Sequence, residues 1–228
     1  MSIYARLLPV LMGAPKPWYL AGNIPKSNCI AAYKAVGAAS LTASFINLAN
    51  PGIYDLTAPV AAPTFNTADG WTFNGSTQFL QMAYTYADGR NLTYIMRFSG
   101  VVGATGFAMG YFNGAGSGLI FSPNRTGARK YYNGTVVLTA AAASANGVMA
   151  VAGNAAYLNG AGDGAITTAA NTNNEANGMN VYIGANRNNA GAPFVHTYFA
   201  GKIQAVAVYS AVLVLAQVAA VTTAMNAL

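Results

Sequence analysis

Charged residues are scarce in this chain. They make up 7% of its 228 residues, with eleven Lys and Arg against five Asp and Glu, whereas an average soluble domain carries about 25%. Uncharged polar side chains or contacts between subunits must therefore cover the surface. Because mixed surface charge normally keeps small domains apart, the composition predicts an assembly. The net charge of +6 arises from missing carboxylates, so we do not expect a nucleic-acid partner.

Residues that carry out catalysis are equally few. Cys29, His196 and Glu175 are the only residues of their types. A single cysteine excludes an internal disulfide, glycosidases need two facing carboxylates, and no Gly-x-Ser-x-Gly motif accompanies the histidine. One Cys and one His also do not make a closed zinc site. We therefore expect a protein that is not an enzyme and has no cofactor.

One long apolar run occupies residues 205–221. It is interrupted by polar residues and falls short of the roughly 20 apolar residues that a spanning helix needs. The run predicts a buried strand over 202–209, a turn at Ser210 and a short helix over about 213–225. No membrane partner is expected.

Prolines concentrate near the N-terminus and suppress helix there. Pro9 also breaks the only stretch that resembles a signal peptide. We expect residues 1–28 to form an extended arm and residues 29–228 to form one domain. The arm is expected to hold a neighbouring subunit, and its candidate contact residues are Tyr4, Arg6, Leu8, Trp18 and Tyr19.

Turn signals divide the rest of the chain. Asn-Gly and Asp-Gly pairs, the strongest short hairpin signal, recur between short apolar runs, and spacing of roughly 8–12 residues favours a sandwich or barrel. We predict an all-β fold. The candidate strands are 30–35, 71–73, 79–83, 92–98, 106–111, 118–121, 130–132, 135–138, 148–152, 155–158, 180–183, 199–200 and 202–209.

Several of these segments resemble one known family. Residues 70–80 (GWTFNGSTQFL), 91–98 (NLTYIMRF), 155–160 (AAYLNG) and 199–209 (FAGKIQAVAVY) follow one another in order. They resemble the strand motifs of laminin-G-like, concanavalin A-like lectin domains, including those found in tailed-phage structural proteins. The resemblance implies a two-sheet antiparallel jelly-roll sandwich with a short C-terminal helix.

Aromatic, basic and amide side chains are the candidate binding residues, because sugars present apolar ring faces and many hydroxyls. The segment that contains Arg129, Tyr131 and Tyr132 is predicted as a surface hairpin. The loop that contains Asn186 and Arg187 is a second polar candidate. Trp71 alternates with Phe73 and is predicted to lie in the core.

Calcium remains a candidate metal, since laminin-G-like domains often hold it with Asp, Asn and backbone oxygens. Asp163 and Asp88 are the weak candidate ligands, and a simple turn role for both is the favoured alternative.

Two function classes remain open. The first is a structural protein on the surface of a virion or other particle, where it decorates a capsid or belongs to a tail or fibre. Its partners would be copies of itself and other virion proteins. The second is a glycan-binding module that is secreted or displayed on a surface. Both classes place the protein on a virion or an extracellular surface.

Overall fold

The computed structural model describes residues 16–85, 91–104, 106–112, 118–134, 136–140, 142–166, 180–189 and 193–228. Within these residues, sixteen strands form two sheets. The strands are β1 Cys29–Lys34, β2 Thr64–Asn66, β3 Gly70–Asn74, β4 Leu80–Met82, β5 Thr93–Ser99, β6 Met109–Phe112, β7 Gly118–Arg125, β8 Ala128–Gly134, β9 Val136–Thr139, β10 Gly147–Ala152, β11 Ala155–Leu158, β12 Ala161–Ala165, β13 Val181–Ile183, β14 Ala185–Asn189, β15 Pro193–Tyr198 and β16 Ala200–Tyr209. The helices are α1 Leu41–Ser44 and α2 Leu215–Asn226.

The strands pair as two eight-stranded sheets. Sheet A has the order β12-β11-β10-β5-β16-β3-β2, with β1 paired to β16. Sheet B has the order β15-β14-β6-β7-β8-β9, with β13 paired to β4 and β6. The pairings between the named strands are antiparallel apart from one parallel bridge between β14 and β6. The predicted two-sheet antiparallel sandwich is therefore confirmed.

The main core lies between the sheets. Sheet A contributes Trp71, Tyr94 and Met96, and sheet B contributes Met109 and Phe121. Trp71 is fully buried, and its Nε1 donates to Ser44 Oγ at 2.8 Å. The prediction of a core position for Trp71 is confirmed.

Helix α2 covers the outer face of sheet A. Its buried residues Val218, Val221, Thr222 and Met225 follow the i, i+3, i+4, i+7 spacing of one helix face. This face packs on outward-facing residues of the sheet, including Ile95. Strand β10 is also buried on both sides, with Met149 in the inter-sheet core and Val148 under the helix, which explains why its sequence is almost continuously apolar. The predicted strand, turn and C-terminal helix are confirmed.

The described part of the predicted arm is not extended. Residues 18–23 and 26–28 form 3-10 turns. Tyr19 is buried against α2, its hydroxyl donates to the Leu48 carbonyl at 2.9 Å, and its carbonyl accepts from the Tyr209 hydroxyl at 2.9 Å. Gly22 allows this contact, because its φ is 73° and an added Cβ would lie 3.0 Å from Gln217 Cα.

These contacts correct the expected role of two arm residues. Tyr19 belongs to the core of its own chain, and half-buried Trp18 packs against the same cluster, because burying two large aromatic rings is worth more than leaving them extended in water. Tyr4, Arg6 and Leu8 lie outside the described residues.

Most predicted strands lie within a few residues of the observed ones, but the segment with Asn186 and Arg187, which the sequence predicts as a loop, forms β14. The structure also contains β2, β12 and β15, which were not predicted.

No helix among the described residues is long and apolar enough to span a membrane.

Candidate functional site

The predicted basic and aromatic segment forms the β7–β8 hairpin of sheet B. Its turn residues Thr126 and Gly127 have φ of 56° and 88°, the left-handed conformation that tight hairpins require. Phe121 pairs with Tyr131 across the hairpin, and both side chains lie in the inter-sheet core. Because side chains alternate along a strand, the next residue, Tyr132, faces outward.

Tyr131 is fully buried. Its hydroxyl lies 2.7 Å from Asp163 Oδ2 and 3.2 Å from the Tyr157 carbonyl oxygen. Burial, followed by the hydrogen bond to Asp163, raises the pKa of Tyr131. The expectation that Tyr131 lies on a sugar-binding surface is corrected, because its ring is enclosed between the sheets.

Arg129 and Asp163 form an ion pair that joins the sheets. Arg129 lies on β8 of sheet B, and Asp163 lies on β12 of sheet A. The Arg129 Nε donates to Oδ2 and Nη2 donates to Oδ1, both at 2.8 Å. Such a bidentate pair is strong and directional. Burial opposes ionisation of Asp163, but the hydrogen bonds from Arg129 and Tyr131 prevail and lower its pKa.

This ion pair also corrects two predicted ligand-binding roles. The side chains of Arg129 and Asp163 are only 11% and 15% exposed, and each is held by the other. Neither is available to a sugar or a calcium ion unless the link between the sheets breaks. No group of three or more His, Cys, Asp or Glu that could hold a metal lies in the described part of the chain. Asp88 lies outside it.

Tyr132 and Arg125 are held on the outer face of sheet B by the ring of Phe107. The rings of Tyr132 and Phe107 meet edge to face, with centroids 5.8 Å apart. The Arg125 guanidinium carbon lies 4.7 Å from the Phe107 centroid, which is a cation–π contact. Burial raises the pKa of Tyr132, and the charge of Arg125 opposes this shift.

A second aromatic cluster lies on the same outer face. Val181 and Ile183 point into the inter-sheet core, so Tyr182 between them faces outward. Its ring lies 5.3 Å from that of Phe79, and the Phe79 ring lies 6.5 Å from that of Tyr198. Tyr198 is half-buried, so part of its surface faces solvent.

A groove of about 330 Å³ lies between Arg125 and Tyr198. We call it the Arg125 groove. Its walls include Gly75, Val102, Gly106, Arg125, Thr197 and Tyr198. Among the residues that the structure describes, no acidic side chain lines it, and Arg125 makes no ion pair with any of them. No described carboxylate therefore occupies the guanidinium.

Asn186 lies behind one wall of this groove. It pairs with Thr197 across the β14–β15 ladder and is only 4% exposed, which corrects the prediction that it lies in a loop. Among the described residues, neither Asn186 Oδ1 nor Thr197 Oγ1 has a hydrogen-bond partner, and such buried oxygens are uncommon in native structures. Arg187 also lies on β14, and its side chain is outside the described part.

The described residues contain no facing pair of free carboxylates. Asp163 and Asp69 are ion-paired, and Asp55 Oδ1 accepts from the backbone N–H groups of Asn47 and Gly52. Glu175 and the side chain of His196 lie outside the described residues. That the chain is not an enzyme stays a prediction.

The structure therefore separates the predicted site residues. Tyr132 is outward-facing as expected, whereas Arg129 and Tyr131 serve the link between the sheets. Arg125 and Tyr198 line the groove but were not selected from the sequence. Arg125 belongs to the same basic segment and could have been found from it. The approach of Tyr198 depends on the pairing of β14 with β6, which are distant in sequence and leave no local signal.

Comparisons with known proteins show the fold. No family model matches the chain, and no curated protein matches it. Domain 4 of AbnA, an extracellular arabinanase of Geobacillus stearothermophilus solved with arabinotriose, is 12% identical, covers 86% of this chain and 98% of its own, and has a TM-score of 0.53. Trypanosoma rangeli sialidase, solved with 2,3-difluorosialic acid, is 16% identical, covers 96% of this chain and has a TM-score of 0.62.

The chain spans 36% of that sialidase chain. At such identities the likeness shows a shared β-sandwich architecture and no more. Neither neighbour is a laminin-G or phage protein, so the expected kinship with tailed-phage structural proteins stays a prediction.

Proposed function

We propose that this chain is a glycan-binding β-sandwich and that it holds a saccharide in the Arg125 groove. The observation that carries the proposal is an arginine free of carboxylate partners among the described residues, facing a half-exposed tyrosine across an open groove. The exposed part of the Tyr198 ring offers an apolar surface for the C–H face of a sugar. Arg125 offers several N–H donors to sugar oxygens.

The position of Arg125 supports this role. Its guanidinium rests on Phe107, which is itself packed against Tyr132, so little side-chain freedom remains to be lost when a ligand binds. The two structural neighbours also come from proteins solved with a saccharide or a sialic acid derivative. This agrees with the proposed ligand class.

A glycan array tests the proposal. We expect the purified protein to bind a defined subset of glycans, and Arg125→Ala and Tyr198→Ala each to lower affinity about tenfold, which corresponds to about 1.4 kcal/mol. Arg125→Lys keeps the charge but loses the planar guanidinium group and its several N–H donors, so this variant should also bind glycans more weakly. Tyr157→Ala is the matched control, because Tyr157 is a half-buried tyrosine that packs on the outer side of sheet A.

Circular dichroism and denaturation of each variant confirm that it is folded. A folded wild-type protein that binds no glycan, or groove variants that bind as well as the wild type, would contradict the proposal.

Assembly on a virion or other particle is a second candidate. It is favoured by the low charge and by exposed aliphatic side chains, among them Val60 at 72%, Val102 at 70% and Val214 at 63% exposure. Light scattering of the full chain and of a variant that lacks residues 1–15 tests it. The deletion stops at residue 15 because Tyr19 belongs to the core. A closed oligomer would support assembly, and a monomer in both forms would contradict it.

A further inference from the structure

A second groove lies on the outer face of sheet A, beside the end of α2. Its volume is about 350 Å³, and its polar lining comes from Arg97, Ser99, Asn146, Asn159, Gln204 and Asn226. It shares no lining residue with the Arg125 groove. We call it the Gln204 groove. Its volume is within the range of small-molecule sites, about 300–1,000 Å³.

Arg97 forms the floor of this groove next to the helix end. Met96 and Phe98 point into the inter-sheet core, so Arg97 points outward toward α2. Its Nη1 donates to the Met225 carbonyl oxygen at 2.7 Å. This contact uses one of the five guanidinium N–H donors, and it anchors the side chain at the C-terminal end of the helix.

Asn159 is held in a single orientation on the opposite side. Its φ is 52°, and its Oδ1 accepts from the Val148 N–H at 2.9 Å. A Cβ on Gly147 would lie 2.7 Å from this oxygen, so only glycine leaves room for it. Oδ1 already accepts this one bond, and the amide Nδ2 makes no hydrogen bond to a described residue, so its N–H groups can donate to a ligand.

Gln204 enters the groove at a β-bulge. The pairing of β16 with β5 shifts register between Ile203 and Ala205, and bulges often redirect a side chain next to a functional site. The Gln204 carbonyl accepts from the Ala35 and Val36 N–H groups at 2.9 and 3.2 Å. The backbone at the bulge is therefore fixed.

The polar groups of this groove are largely uncommitted. The side chains of Asn146, Gln204 and Asn226 make no hydrogen bond to another residue of the described part. Within that part, no acidic side chain lines the groove. Amides both donate and accept, as sugar hydroxyls do. An anion would use the donors alone and would face the negative end of the α2 dipole. The lining thus favours a neutral polyhydroxylated ligand over an anion.

We propose that the Gln204 groove is a second saccharide site, which binds one neutral sugar unit through its hydroxyl groups. The inference rests on the proposed function only for the class of ligand. With two separate grooves the chain is bivalent, and bivalent contact with a surface that carries many glycans raises avidity without any new contact.

Backbone amide NMR of the labelled full chain tests this inference. The probes are free glucose, galactose, mannose, N-acetylglucosamine and arabinose, each titrated separately. We expect saturable shifts at the amides of Gly147, Val148, Asn159 and Asn226 with at least one sugar. The double variant Asn146→Ala, Asn226→Ala should lower that affinity about tenfold, while Arg125→Ala leaves it unchanged.

Thr223→Ala is the matched control, because Thr223 is an exposed polar residue on the same helix and does not line the groove. Both asparagines are exposed, so their replacement leaves the fold intact. Shifts confined to residues around the Arg125 groove overturn this inference and leave the proposed function standing. Shifts confined to the Gln204 groove support the inference and overturn the proposed site. If none of the probes gives a saturable shift, the inference of a second saccharide site is overturned.

Discussion

The outer faces of the two sheets differ in what covers them. Helix α2 and the turn that contains Tyr19 cover the outer face of sheet A with apolar side chains. The outer face of sheet B instead carries aromatic clusters whose members Tyr132 and Tyr198 are half-exposed. Where sheet A is covered, side chains stabilise the fold. Where sheet B is open, and where α2 ends, side chains remain free for ligands.

The largest expected effect comes from the covered face. Tyr209 is fully buried there, and its hydroxyl donates to the Tyr19 carbonyl. Tyr209→Ala leaves a cavity and should lower the free energy of unfolding by about 3–5 kcal/mol, measured by chemical denaturation. Tyr209→Phe removes only the hydroxyl and should cost about 1 kcal/mol. Equal effects of the two variants would show that the covered face contributes little packing energy.

The link between the sheets should have the next largest effect. Asp163→Ala leaves the enclosed Arg129 guanidinium and Tyr131 hydroxyl without their carboxylate, and should cost about 1–3 kcal/mol. The single variant Arg129→Ala and the double variant that carries both replacements complete a double-mutant cycle, which isolates the contribution of the ion pair to stability. If the effects of the two single variants on stability simply add in the double variant, the ion pair does not couple the two sheets energetically.

The same link predicts a dependence on pH. The pKa of Asp163 is lower in the folded protein than its ordinary value, which is about 3.9 in an unfolded chain. The contribution of the ionised Asp163 carboxylate to the free energy of unfolding is therefore complete above the unfolded pKa. This contribution is lost as pH falls through the lower folded pKa. Denaturation curves measured below about pH 4 should show less loss of stability for Asp163→Asn than for the wild type.

A smaller effect on stability is expected on the open face. Tyr132→Ala removes one half-buried ring that meets Phe107 edge to face, and should cost about 0.5–1.5 kcal/mol. Glycan affinity should also fall, because Arg125 loses the support of the Phe107–Tyr132 pair. A loss of stability as large as that of Tyr209→Ala would contradict the distinction between the faces.

The smallest expected effect is on the reactivity of the Cys29 thiol, which lies in the apolar layer between sheet A and its covering segments. Its side chain is 2% exposed, and burial, partly offset by a backbone hydrogen bond to Ala31, raises its pKa to about 12. We expect no labelling by a thiol reagent near pH 8 in the folded protein and complete labelling in denaturant. Rapid labelling of the folded protein would show that the covering layer opens readily.

Much of the fold was predictable from local chemistry. The pair Asn159-Gly160 has φ of 52° and 79°, as its sequence indicates for a tight turn. The run 202–209 lies within β16, and the following helix begins two residues later than expected. Strand β14 is not predicted, because its polar asparagines have low intrinsic strand propensity and become a strand through pairing with β15.

The candidate site was less predictable. Alternation places Tyr131 and Tyr132 on opposite faces of β8, but the choice between them depends on which face meets the other sheet. Asp163 could not be recognised as the partner of Arg129, because the two are 34 residues apart. Gln204 lies in an apolar strand and reaches the surface groove through a bulge.

The sequence by itself determined the all-β class, the tight turns and the C-terminal helix, because these depend on backbone conformations and side-chain periods that extend over a few residues. Only the tertiary structure decided which aromatic rings are enclosed, which arginine is ion-paired and which stays free, and where the polar grooves lie. Those outcomes depend on contacts between strands from different parts of the chain, and burial decides whether a side chain stabilises the fold or meets a ligand.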